Sequence, residues 1–113
     1  MNDRELLELA ARAAGYQFSY SYRSLSSPAV PVILAETGRW RQWNPLTDDG
    51  DALRLAASLE MDLRFIGAGA IARAHFENSI WPKIKDDDYK RAIVRAAAEI
   101  GKSMTQPGAT SSP

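Results

Sequence analysis

The chain has no cysteine, a single histidine, no net charge and no long apolar run, and each shortage removes a class of function. Without cysteine there are no disulfides, no thiolate nucleophile and no sulfur-ligated zinc. His75 has no second histidine beside it and no G-x-S-x-G serine to activate, so it reads as a structural or exposed residue rather than a general base. Lys and Arg number 14 against 14 Asp and Glu. The molecule as a whole therefore has no field to draw it to nucleic acid or an anionic membrane, and nucleic acid is not the expected partner. No stretch approaches the roughly 18 apolar residues of a membrane span. The start, Met1-Asn2-Asp3-Arg4-Glu5, lacks the basic-then-apolar plan of a signal peptide, so a cytoplasmic address is the expectation.

What remains is ordinary globular material. With 113 residues, 45% hydrophobic and 25% charged, the composition suits one domain with one modest core. Leu6, Leu9, Ala10 and Ala13 follow the i, i+3, i+4, i+7 spacing of an amphipathic helix, capped by Asn2 or Asp3 and stopped at Gly15. From Tyr16 the period changes to two, with Tyr16, Phe18, Tyr20 and Tyr22 alternating with polar residues as in a half-buried strand. Residues 24–31, with two prolines, read as a loop. Val32 to Glu36 and Arg39 to Trp43 then form a hairpin about Thr37-Gly38.

Asn44-Pro45 ends that hairpin, and Thr47 or Asp48 caps a second helix whose inner face carries Ala52, Leu55, Ala56 and Leu59. Leu63 to Ile66 is strand-like, Gly67-Ala68-Gly69 a turn, and Ile71 to Glu77 a last strand, with a glycine turn into a short helix as the other reading of 67–77. Asp86-Asp87-Asp88 place negative charge at the start of a third helix, striped by Tyr89, Ile93, Ala96, Ala97, Ile100 and Met104. Residues 105–113 have nothing to bury and read as a disordered tail, leaving 1–104 as the domain. The predicted class is α+β: an antiparallel sheet of about four to five strands packed with three helices, in the order α-β-ββ-α-ββ-α.

Several strings imitate functional motifs. Gly67-Ala68-Gly69-Ala70-Ile71-Ala72 fits G-x-G-x-x-A, but no βαβ series surrounds it, so a hairpin turn is the better reading than a dinucleotide loop. Asp48-Asp49-Gly50-Asp51 lacks the ligand spacing of a calcium loop and reads as a helix cap, and Asp86-Asp87-Asp88 as a solvated helix start. The sequence thus predicts no cofactor, no metal and no catalytic residues. The return strand Arg39-Trp40-Arg41-Gln42-Trp43, with Arg23 before it, interleaves guanidinium groups with aromatic rings, as binding hot spots and stacking surfaces do. Alternation puts Trp40 and Trp43 on opposite faces, so one of them belongs to the core. Trp81, Ile80 and Leu25 lie in irregular segments where a monomer gains nothing by exposing them. Arg23, Arg39, Trp40, Arg41 and Trp81 are therefore the candidate partner-binding residues.

Three segments also carry a family resemblance. Trp43-Asn44-Pro45-Leu46-Thr47-Asp48-Asp49-Gly50-Asp51-Ala52-Leu53-Arg54-Leu55-Ala56 resembles the central signature of small tailed-phage proteins with the phage ABA (α-β-α) sandwich domain. Asp3 to Ala10 and Arg91 to Gly101 resemble the first and last helices of that family, which has no assigned activity. The resemblance covers roughly half of the chain, chiefly its helices, and implies a phage or prophage origin and a sheet covered by helices. The expected function is a non-enzymatic accessory protein that binds and inhibits a host protein, for example an antiviral component such as a CRISPR effector, with self-association as a further partner. The alternatives are a binder that sequesters a nucleotide or other small ligand, and a weak nucleic-acid binder working through the arginine and aromatic stripe.

Overall fold

A computed structural model describes residues 2–21 and 29–104. Arg23, Leu25 and the expected tail at 105–113 lie outside the described residues. The element order is α1 (Asp3–Ala14), β1 (Phe18–Ser21), β2 (Val30–Leu34), β3 (Trp40–Gln42), α2 (Asp49–Ser58), β4 (Asp62–Ile66), β5 (Gly69–Arg73), β6 (His75–Phe76), β7 (Ser79–Ile80), β8 (Ile84–Asp86) and α3 (Tyr89–Met104). The class is α+β, as the residue periods predict. The strands form two three-stranded antiparallel sheets, β1-β2-β3 and β4-β5-β8, and a two-stranded hairpin, β6-β7.

The local reasons for these elements are visible in the caps and turns. Asn2 accepts from the Glu5 N–H at 2.8 Å and Gly15 ends α1 in the left-handed region at φ 79°. Asp48 caps α2 by accepting from the Asp51 N–H at 2.8 Å. The glycine string is the turn of the β4–β5 hairpin, with Ile66 facing Gly69 and Gly67 at φ 60°. The structure extends β2 back to Val30 and Pro31, which the proline pair had suggested was loop. Proline, which has no N–H to give the ladder, is tolerated near a strand start, and the Pro31 carbonyl accepts from the Trp43 N–H at 3.0 Å.

The predicted strand at 71–77 is divided. β5 ends at Arg73, and Glu77-Asn78, both at positive φ (54° and 60°), fold β6 onto β7 as a two-residue hairpin. Asp86 is the last residue of β8, not the first of the helix. α3 starts at Tyr89, where Asp88 accepts from the Lys90 N–H at 2.9 Å.

α3 is the axis of the molecule. Ile93, Val94, Ala97, Ala98 and Ile100 join Leu6, Leu7, Ala10, Ala11, Leu55, Leu59 and Trp43 in the main core, while Ala92 and Ala96 meet Ala70 and Ala72 of β5 in a second cluster. The helix thus buries most of its circumference against α1, α2 and the β4-β5-β8 sheet, and leaves one half-exposed stripe of Arg91, Arg95, Glu99 and Lys102. Its closest approach is at Gly101, where a Cβ would stand 2.0 Å from the Leu9 carbonyl oxygen.

Gly101→Ala tests that contact. Alanine gains about 1 kcal/mol of intrinsic helix propensity over glycine, but forcing main chains apart in a packed core costs about 1–3 kcal/mol or more. A Cβ so close to a backbone oxygen makes the second effect larger, so the variant should lose about 2 kcal/mol in urea unfolding, with an unchanged m-value.

Candidate functional site

The candidate residues divide by the pleat of β3. Trp43, just past the strand, is 1% exposed and packs edge-on against Tyr16 and Phe18, with ring centroids 5.6 and 6.0 Å apart. Trp40 lies on the opposite face and is 49% exposed. The core tryptophan is therefore Trp43 and the surface one Trp40, which resolves the pair that alternation leaves open. Arg39 stands exposed beside Trp40 at the end of a turn in which Ala35 N–H donates to the Arg39 carbonyl at 2.9 Å. β3 is an edge strand, paired with β2 through Leu34–Trp40, Ile33–Arg41 and Val32–Gln42 and with its other side unpaired among the described residues.

Arg41 shares the inner face with Ile33 and reaches α2. Its Nη1 donates to the Gln42 carbonyl at 3.2 Å and lies 3.5 Å from Asp51 Oδ1. Asp51 is 6% exposed and holds the junction together. Oδ1 accepts from Arg54 Nη2 at 2.8 Å and Oδ2 accepts from the Asn44 N–H at 3.0 Å. Asn44 in turn accepts from the Leu46 N–H at 3.1 Å in an Asx turn around the buried Pro45. The acidic run is thus a cap at Asp48 and a buried anchor at Asp51. The sequence suggests only the cap, because the donor that makes Asp51 an anchor lies on the preceding strand end.

Trp81 departs from the expectation of exposure. It is half-buried against the main core, and its Nε1 donates to the Phe76 carbonyl at 3.4 Å. Its neighbour Ile80, 75% exposed on β7, is the residue that projects. Of the described tyrosines, Tyr16 shares a cleft with Arg41 but not with Arg39 or Trp40. Tyr16 and Tyr20 line an open cleft of about 610 Å³ with Arg4, Glu8, Arg12 and Phe18, and the Arg4 guanidinium sits 4.7 Å from the Tyr20 ring centre. Arg4, Glu8 and Arg12 were findable: their spacing of four puts them on one face of the first helix.

Other titratable groups are tied into the frame. His75 Nε2 is 2.7 Å from Asp62 Oδ2, an exposed pair. Burial pushes the Asp86 carboxyl up, but the Asp88 N–H, the Arg95 hydrogen bond and the charges of Arg95 and Arg91 outweigh it and hold the group below the usual range. Tyr89 OH donates to Asp49 Oδ1, which ties α3 to α2. That bond is the main reason the Tyr89 hydroxyl is raised to about 12 and the Asp49 carboxyl lowered. Among the described residues no three His, Asp or Glu side chains gather as a metal site, and no helix is long and apolar enough to cross a membrane. No protein-family model, no curated protein and no solved structure matches the chain.

Asp51→Ala orphans the Asn44 N–H and releases Arg41 and Arg54. Because both guanidinium groups are substantially exposed, the ion pairs count for little. The lost charged hydrogen bond sets the cost at about 2 kcal/mol in urea unfolding, with Asp51→Asn losing less.

The Tyr89–Asp49 bond makes stability depend on pH. A hydroxyl raised in the folded state contributes stability that is complete below its ordinary value of 10.0 and is lost as pH rises through about 12. The depressed Asp49 contributes above the ordinary carboxylate range and loses its part as pH falls through the lowered value. Tyrosinate absorbance should show one of the four tyrosines ionising near 12, and Asp49→Asn should return it toward 10.0.

Proposed function

We propose that the chain is a non-enzymatic binding protein that docks on a partner protein through the β2–β3 hairpin. The observation that carries this reading is the placement of Trp40: half-exposed, on a short edge strand, beside the solvated Arg39 and above an Arg41 held by Asp51. Tryptophan and arginine dominate the energetics of protein interfaces. An unpaired strand edge also offers a partner main-chain hydrogen bonds. The Asp51 anchor holds the strand end before any partner arrives, so little ordering cost is left to be met on binding. Support for a non-catalytic role comes from the residue inventory, which holds no cysteine and one histidine, with that histidine engaged by Asp62.

The likeness of Trp43-Asn44-Pro45 and the following helix to tailed-phage proteins sets the context of the proposal. In it the partner is a host protein, the compartment the host cytoplasm, and the effect inhibition by stoichiometric occupancy. An antiviral component such as a CRISPR effector is the partner class we carry forward.

Affinity capture from phage-infected host lysate, with wild type and Trp40→Ala in parallel, tests this reading. The expected result is a host protein retained in stoichiometric amount through a high-salt wash and reduced at least about tenfold by Trp40→Ala, the loss of a hot-spot residue. Equal retention by a folded Trp40→Ala would exclude the hairpin as the docking element.

A further inference from the structure

The register of the β4-β5-β8 sheet sorts its charges by face. Leu63, Phe65, Ala70, Ala72, Ile84 and Asp86 fall on the side of α3, where Ala70 and Ala72 pack on Ala92 and Ala96, and Asp86 Oδ2 accepts from Arg95 Nη1 at 3.0 Å. Arg64, Ile71 and Lys85 stand side by side in one row on the other face, through the pairs Arg64–Ile71 and Ile71–Lys85. Arg73, two residues beyond Ile71 on β5, is on that face too, and Lys83 stands just before β8. Arg64, Lys83 and Lys85 are exposed.

None of these four cations has a carboxylate partner among the described residues. Asp62 lies directly across from Arg73, yet its carboxylate is 2.7 Å from His75 Nε2 and so leaves Arg73 alone. Arg73 Nε is buried and has no hydrogen-bond acceptor. Asp62 is an acid of the face itself, and the exposed Asp87 stands at the rim by the Gly67 turn. Adjacent strands are about 4.8 Å apart, so Arg64 and Lys85 stand about 10 Å from each other. That is about one Debye length at 0.1 M salt, so at or below that ionic strength the cations act on a ligand as one patch.

We infer that this open face of the β4-β5-β8 sheet binds the phosphodiester backbone of a nucleic acid, without reading its sequence. Two features favour a polyphosphate over an acidic protein. The apolar side chains on the face are only Ile66 and Ile71, with no aromatic, whereas a protein interface is centred on an apolar patch depleted of charge. Interfaces with nucleic acid are polar and strongly positive, and most of their hydrogen bonds go to phosphate and sugar. Zero net charge does not oppose this, because acids such as Asp48, Asp49 and Asp51 at α2 and Asp86 under α3 lie away from the face. The surface is separate from the β2–β3 hairpin, so the inference stands or falls independently of the docking proposal.

Fluorescence anisotropy of the full chain with labelled mixed-sequence single-stranded and duplex DNA, between about 50 and 200 mM salt, tests it. With three to four phosphates engaged, log K should fall against log salt with a slope of about −3. Arg64→Glu/Lys85→Glu should weaken low-salt binding at least about tenfold and reduce the slope by about 1.5, two contacts' share. Arg12→Glu/Arg39→Glu makes the same change in net charge elsewhere and should stay within about threefold, as should Trp40→Ala. Thermal melts establish that each variant is folded. Absence of binding, equal weakening by the two charge-reversal variants, or tighter binding to polyglutamate than to DNA would each overturn the assignment, the last in favour of an acidic protein partner.

Discussion

The rest of the structure depends on α3 being narrow enough to be packed by α1, α2 and a sheet at once. A helix that serves as axis must let each neighbour close to within ordinary interhelical distance, 8–10 Å or less where the side chains are small. Ala92, Ala96, Ala97, Ala98 and Gly101 supply that narrowness, and Ala10, Ala11 and Ala13 supply it from α1. Larger residues enter only where there is depth to receive them, as with Ile93, Val94 and Ile100 in the main core. The consequence is that the two sheets need not touch each other to belong to one domain. Each is fastened to the helices, and a fold of short strands is stable because its helical axis supplies the continuity that a single broad sheet would otherwise provide.

This arrangement explains which parts of the fold were legible in the sequence. The three helices follow from 3.6-residue periodicity and their caps, since Asn2, Asp48 and Gly15 act on backbone groups within their own turns. The hairpins at Gly38 and Gly67 are local too. Sheet membership is not local. β8 was missed because Pro82, Lys83 and Lys85 are poor strand formers, and Ile84 to Asp86 is held in place by pairing with β5 and by Arg95 of α3. The single expected sheet became three pieces for the same reason: nothing in a strand's own residues states which edge it will find.

The binding surface was legible in part. Trp40 and Trp43 were separable as a pair by alternation, but which one faced inward depended on Tyr16, Phe18 and α2. Trp81 illustrates the opposite case, an aromatic in an irregular segment that nevertheless lies on the core and bonds to Phe76. Asp51 was hidden because its role needs the strand end at Asn44 and the guanidinium of Arg41 at once.

Charge is where reading along the chain loses most. Arg64, Arg73 and Lys85 belong to three different strands, and a count over the chain returns zero. What gathers them is register: Lys85 and Asp86 are neighbours in sequence, and the pleat sends one to the open face and the other to Arg95 beneath α3. A one-residue slip of β8 would exchange them, burying a lysine against Ala92 and Ala96 and placing a carboxylate in the row with Arg64. The helix side forbids that slip, since an ammonium there would face Arg91 and Arg95 instead of a counter-charge. The same α3 contact that completes the sheet therefore fixes the sign of its free face, and the unpaired cations on that face follow from how the core is closed.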